Sequence, residues 1–424
     1  MFRLRTLPPV VIIFALAFAV RVAFIFLAGL DRQPLNFGEV DRVAESIISR
    51  HVFGNPYALP TGPTAHLAPV YTWLVSLLFR LFGSESLRTV SVLTFNAACA
   101  SGQYALLVVF AMVCRLSRRV GILAGGVGAL VPLRPLVETR GWETSLTAFG
   151  LVAVLTLTMV WWRRHPVSAW YSALAGFCWG VLLLEAPQML LVFAAMLAIY
   201  VFVVPNSTFL QAAIAILSVS LAILPWTVRN VRTFGHLFYI RSNFGLELSM
   251  SNHDGAGPVY MQEFGAVGAH NFFQQRHPGM NPQEARLVQQ MGEINYHHAR
   301  LREALQWIEN HPREFARLTA LRIFYFWFMP SFPWYKDFIL FPLVIVGMIG
   351  LVRLFWVEPL AAWLLTACWV AFPPVYYFIF LDSRYRYPLD WTFLFLASFL
   401  FFELQKTAFV GRPTLSSIKP HHSR

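Results

Sequence analysis

Three kinds of side chain in this sequence can do chemistry. The string GEVDRVAESI puts Glu39, Asp41 and Glu45 in one short stretch, and Glu143 stands in GWETSL. A carboxylate withdrawn from water has its pKa raised by desolvation and becomes a better proton acceptor. Glu39 has that character if it faces a cavity; facing water, it is a helix-start acid favoured by the macrodipole. Glu143 follows Arg140-Gly141-Trp142, so it reads as a reacting-site acid, a partner of Arg140 or a cap. Arginines are the second kind. Arg229 and Arg232 follow PWT, Arg241 precedes SNFGLEL, and Arg384 and Arg386 flank Tyr385 in SRYRYP. A guanidinium can hold a phosphate through two parallel hydrogen bonds; the competing role is anchoring at lipid headgroups. Histidines are the third kind. His51 and His66 have no further ligands at metal-site spacing, although His66, after PTGPTA, is a candidate for substrate contact. His297 and His298 are expected on the solvated face of a charged helix.

What must position these groups is an apolar scaffold. Of the 424 residues 57% are hydrophobic and 13% charged, with a mean hydropathy of +0.56. A soluble domain carries about 25% charged residues, so water is not the solvent for most of this surface. The 39 Phe and 14 Trp suit lipid-facing helices with interfacial belts. A net charge of +12 raises nucleic-acid binding, but many basic residues sit in short loops between apolar runs, which excludes it. Cys99, Cys114, Cys178 and Cys368 lie in or beside apolar segments without ligand spacing, and read as small core residues.

Apolar runs near 9–30, 88–113, 120–135, 144–162, 168–184, 187–204, 209–226, 337–356, 360–380 and 388–404 predict an all-α polytopic membrane protein of about ten transmembrane helices. MFRLRT and the run after it resemble a signal peptide, yet no small-residue cleavage site follows and the run resumes after Arg21, so an uncleaved first span is expected. Arg21 inside that span is expected to pair within the protein. A cytoplasmic N-terminus puts Arg115–Arg119, Arg163–His165, Arg353 and the tail (Lys406, Arg412, Lys419, Arg424) inside, as the positive-inside rule asks.

Two long polar segments then fall outside. Within 31–87, Val40, Val43, Ala44, Ile47 and Ile48 recur at helical spacing, and VYTWLVSLLFRLF follows GNPYALPTGPT. Both predict amphipathic helices at the outer membrane surface. In the second segment, Asn281-Pro282-Gln283-Glu284 resembles a helix start, with Asn as cap and Glu reaching back. A charged helix is expected to run to about Asn310, and Pro312 to open another. The division is 1–229 as an N-terminal transmembrane module holding the first outer loop (31–87), then 230–332 as an extracytoplasmic helical segment. Residues 333–405 form C-terminal transmembrane helices, and 406–424 a cytoplasmic tail. No internal repeat is visible.

The strings AVRVAF, GEVDRVAESI, PTGPTAHLAPVYTWLVSLLFRLFG, GWETSL, PWTVRN with SNFGLEL, and SRYRYPLD occur in this order along nearly the whole chain. Together they resemble the GT-C superfamily of polyprenyl-phosphate-dependent glycosyltransferases, in its protein mannosyltransferase and aminoarabinose transferase branch. The resemblance implies a sugar donor carried on a lipid phosphate and an active site at the outer face beneath the first loop. Glu39 matches the family's catalytic acid, with Asp41 the alternative register, and Glu143 matches a second acid opening the fourth span. The candidates for phosphate binding are the cationic side chains at the outer ends of spans, Arg384, Arg386, Arg229 and Arg241, and those for substrate contact are His66 and Tyr385. The pattern departs at Leu184-Glu185-Ala186-Pro187, where many relatives have a basic residue near the proline.

The expected function is therefore transfer of a sugar to a protein, lipid or glycan hydroxyl on the extracytoplasmic side of a membrane, the bacterial inner membrane if the cell is bacterial. The sequence names no cofactor, and a divalent metal stays open. A secondary transporter or lipid flippase is the competing class, but transporters usually place acids near mid-membrane in paired halves, which are not visible here. A non-catalytic scaffold would not need acids and arginines converging on one cavity.

Overall fold

A computed structural model describes residues 7–33, 38–132, 134–164, 168–259, 267–328 and 337–410. MFRLRT, the 332/333 boundary and the tail from 411, with Arg412, Lys419 and Arg424, lie outside them. Among the described residues the chain is helical, with two isolated β-bridges. Its first part contains α1 (Leu7–Leu27), α2 (Glu39–Arg50), α3 (Pro69–Leu81), α4 (Glu85–Val113), α5 (Arg118–Leu130), α6 (Pro135–Thr139) and α7 (Thr144–Arg163). Then come α8 (Ala169–Glu185), α9 (Leu190–Phe202), α10 (Phe209–Phe234), α11 (Phe244–Ser251), α12 (Val267–Arg276), α13 (Pro282–Met291), α14 (Glu293–Asn310) and α15 (Pro312–Trp327). The chain closes with α16 (Asp337–Val357), α17 (Pro359–Ala371) and α18 (Ser383–Val410).

Among the described residues seven helices are long and apolar enough to cross a membrane, from Pro8–Leu27 to Ser383–Lys406. This is an integral membrane protein, with fewer full-length spans than the ten apolar runs. The run at 120–135 yields only the 13 residues of α5, about 20 Å of helix against a hydrocarbon core of about 30 Å. Pro187 separates α8 from α9, leaving helices of 17 and 13 residues. The last run starts earlier than its apolar residues do: α18 begins at Ser383 and carries Pro388 inside it.

In the bundle, α4 packs against α1, α5 and α7, while α18 packs against α16, α5 and α7. Two sets of charges buried there are paired. Arg21 meets Glu138 at 2.9 Å, as expected for a cation in the first span, and also donates to the carbonyls of Gly128 and Ala129. Asp390 takes Arg134 at 2.7 Å on one oxygen and Arg386 at 2.9 Å on the other. Both clusters clamp the five-residue α6, which lies between Arg134 and Arg140.

The two polar segments, with Phe380, form a second, smaller core of Tyr57, Leu246, Met250, Ala285, Val288, Tyr296 and Phe380. Val40, Val43 and Ala44 are buried on α2, which packs on α3, as the periodicity required. Asn281 does cap α13, accepting from the Gln283 N–H at 2.8 Å, and Pro282 opens it. Glu284 does not reach back: it accepts from Arg300 at 2.5 Å and from the Tyr296 hydroxyl at 2.8 Å, a stronger pairing than the cap. The charged helix is two helices, broken at Gly292, and Pro312 opens the next.

Candidate active site

Gly38 has φ 81°, a backbone region that glycine enters without penalty, and this turn starts α2 at Glu39. Arg42 shares the Glu39 face at i+3, whereas Asp41 lies about 200° round the helix. Glu45 is drawn off to Arg88 at 3.1 Å. The structure therefore singles out Glu39 among the three acids as the one beside the histidines. Its Oε1 lies 3.8 Å from Nε2 of His66 and 3.5 Å from Nε2 of His277. Burial pushes the Glu39 carboxyl above the usual carboxylate range, against the opposing pull of Arg42, Arg384 and Arg241.

The loop after α2 folds back to deliver His66. Asn55 accepts from the Gly62 N–H, Thr64 N–H donates to Phe53, and Arg229 donates to the carbonyls of Thr64 (2.8 Å) and Phe53 (2.9 Å). Arg241 donates from Nε to the His66 carbonyl at 2.8 Å. Glu293 completes the clamp: it accepts from Thr64, from the Ala65 N–H at 2.8 Å and from Ser242 at 2.7 Å. His277 arrives from the turn between α12 and α13, stacked on Phe273 with centroids 4.4 Å apart. Burial drives the His66 imidazole well below its usual range and lowers His277 to about 4 and His297 to about 3, so all three rings are neutral at neutral pH.

The remaining expected residues divide into two groups. Arg384 acts on Glu39 and feels Glu143; its guanidinium lies over Trp142 at 4.4 Å and Tyr385 at 5.3 Å. Tyr385 in turn stacks on Tyr376 at 4.7 Å. Glu143 caps α7 through its backbone, its carbonyl accepting from Thr147. Arg386 is not brought to this group: at i+4 it pairs with Asp390 and donates to the Trp327 carbonyl. Arg229 is engaged by the loop carbonyls. Glu185, where the sequence departs from the pattern it resembles, is buried at the N-terminus of α3 and accepts from the Tyr71 N–H at 2.8 Å, an orphan donor that an acid there satisfies.

His297 corrects the sequence reading. It is 2% exposed and takes part in a hydrogen-bond chain through Tyr57, because it shares a helix face with buried Ile294 and Ala304, at i−3 and i+7. That stripe was the available signal. His298 is exposed, as expected. His277, Tyr57 and Glu293 carry no spacing relative to Glu39, and sequence reasoning missed them. The ligand atoms of Glu39, His66 and His277 lie within 4.8 Å of one another, close enough for one metal ion.

The helical membrane architecture, with its polar segments gathered around Glu39, is similar in fold to solved structures of archaeal oligosaccharyltransferases. The solved structures it resembles include the Archaeoglobus fulgidus oligosaccharyltransferase in complex with zinc and sulfate, at 17% identity and TM-score 0.52, over 89% of this chain and 46% of that one. The archaeal oligosaccharyltransferase AglB of A. fulgidus, in complex with an inhibitory peptide and a dolichol-phosphate, matches at 16% identity and TM-score 0.53, over 97% and 53%. ArnT of Cupriavidus metallidurans bound to undecaprenyl phosphate follows at 12% and 0.41, over 93% and 78%. The chain spans about half the length of the oligosaccharyltransferases, with 46% and 53% of them covered. No protein-family model matches the sequence, nor does any curated protein sequence.

Proposed function

We propose that this protein is an inverting membrane glycosyltransferase that takes a sugar from a polyprenyl-phosphate donor and delivers it to a hydroxyl of a protein, lipid or glycan at the extracytoplasmic face. The observation that carries the reading is Glu39, one-quarter exposed (26%) and acted on by Arg42, Arg241 and Arg384. A carboxylate to orient or deprotonate a hydroxyl thus stands among cations able to stabilise a departing phosphate. The fold supports it, and a fold relative is described with a dolichol-phosphate. Glu143 acts in support through Arg384, Tyr385 and His66 contact substrate, and the phosphate falls to Arg384 and Arg241 with Arg42. Arg386 and Arg229 are left to their internal contacts, and Asp41 is the second-choice acid.

The test is transfer of radiolabelled sugar from a panel of polyprenyl-phosphate donors into extracted membrane acceptors, by wild type and Glu39→Gln. Wild type is expected to label acceptor and the variant to lose on the order of 10²-fold or more. Equal labelling by both removes Glu39 from the chemistry. No labelling by folded wild type across the panel overturns the transferase reading.

A further inference from the structure

Two backbone N–H groups, whose donor direction admits no choice, fix the protons of three rings. The Ala65 N–H donates to Oε1 of Glu293, and with the carboxyl ionised, or its proton on Oε2 beside Thr64, that oxygen only accepts. Ser242 must then donate its hydroxyl proton to the same oxygen, at 2.7 Å. The Ser242 oxygen is left to accept from Nδ1–H of His297 at 3.2 Å, which leaves Nε2 of that neutral ring bare. Tyr57 accordingly donates its hydroxyl to Nε2 of His297 at 3.1 Å, and its oxygen accepts Nδ1–H of His66 at 3.0 Å. His66 therefore turns an unprotonated Nε2 toward Glu39, 3.8 Å away.

The second anchor gives the opposite answer for the other ring. The Gly279 N–H donates to Nδ1 of His277 at 3.0 Å, so the proton of this neutral ring sits on Nε2, which faces Oε1 of Glu39 at 3.5 Å. A metal needs a bare ring nitrogen. His277 offers none on the side of the cluster, so Glu39 and His66 alone present lone pairs, too few for the three or four protein ligands of a zinc site. The trio does not fit a metal centre.

We propose that it is an acid–base unit whose two imidazoles have fixed and opposite roles. His277 is a donor that holds the Glu39 carboxylate in place, and His66 accepts the proton of the acceptor hydroxyl. Tyr57, His297, Ser242 and Glu293 are positioning residues that set the His66 tautomer. In the transfer, which rests on the glycosyltransferase reading, the hydroxyl gives its proton to Nε2 of His66 as its oxygen bonds to the anomeric carbon. The bond from that carbon to the phosphate oxygen breaks, and its electron pair leaves on the lipid phosphate. Glu39 faces the imidazolium so formed, which returns its proton to water as product leaves.

The test reads tautomers directly, by long-range ¹H–¹⁵N NMR on ¹⁵N-histidine-labelled, chelator-treated protein in nanodiscs, with His66→Asn and His277→Gln for assignment. Expected is Nδ1–H for His66 and Nε2–H for His277, with Tyr57→Phe converting His66 to a mixture or to Nε2–H while His277 is unmoved. One equivalent of Zn²⁺ is expected to leave both rings unshifted. A wild-type His66 protonated on Nε2, or stoichiometric zinc that shifts both rings together, overturns the assignment. These readouts need no substrate, so they stand apart from a failure of the transferase reading. In the labelled-sugar assay, Tyr57→Phe should lower kcat on the order of tenfold or more with KM little changed, the scale of a lost positioning contact. His277→Gln, which keeps an N–H near the Nε2 position, should recover roughly tenfold of what His277→Ala loses. Equal loss in the two His277 variants, with wild-type transfer lost on chelation and restored by added metal, would return the site to metal chemistry.

Discussion

A carboxylate between two imidazoles works only if nothing larger than hydrogen stands where the chain passes beside it. Gly279 occupies that point. A methyl group there would lie 2.9 Å from Nδ1 of His277 and 3.0 Å from Oε1 of Glu39, so one of them must move. Gly279→Ala is expected to leave the protein folded, since the displaced atoms are side-chain ends, but to lower sugar transfer on the order of 10²-fold, as misplacement by about 1 Å does. Unchanged transfer would show that the spacing of Glu39 and His277 is immaterial. At this scale the sequence displayed Glu39, His66 and Arg384 because each belongs to a string with a recognisable order. It hid His277, whose nearness to Glu39 exists only after some 240 residues have folded between them. Arg386 misled for a different reason: Asp390 lies one turn on, and the i+4 pairing becomes visible only once the helix is known to begin at Ser383.

Among the elements, α6 has the least means of holding itself. Five residues form barely one turn, too short for helix propensity to sustain. Its place is set by charges: Glu138 on Arg21, and Arg134 at its start on Asp390, which also carries Arg386. Asp390→Ala would strand two buried guanidinium groups, and breaking a buried pair by removing one partner costs about 3–5 kcal/mol. Thermal unfolding in detergent should show at least about 3 kcal/mol of destabilisation. A loss well under 1 kcal/mol would mean that water reaches these arginines. The helices of the polar segments were legible because their apolar periodicity and the Asn281 cap are local signals. The bundle helices were legible as apolar runs, but not in number. Arg118–Leu130 reads like half of a longer run until the helix ends with Val131 as its C-cap.

For the molecule as a whole, an expectation of which end faces the cytoplasm starts from two groups of contacts. At one end Glu293 is tied to Thr64 and Ala65, joining the polar segment after α10 to the loop between α2 and α3. At the other, Arg163 pairs with Glu358 at 2.7 Å and donates to the Cys114 carbonyl, joining the α4–α5, α7–α8 and α16–α17 connections. The 29 residues of α4 link the two ends, a reach of about 44 Å. Arg115, Arg118, Arg119, Arg163 and Arg164 crowd the second end, so the expectation from the positive-inside rule is that this end is cytoplasmic and Glu39 lies outside. The native cysteines are buried or half-buried, so single exposed cysteines can report the sidedness. In intact cells a membrane-impermeant maleimide is expected to label Ser49→Cys and His298→Cys, and to label Arg118→Cys only after permeabilisation. The reverse pattern would put the acid, the histidines and the arginines on the cytoplasmic side, where a donor facing outward could not meet them, and the extracytoplasmic transfer proposed above would fall with it.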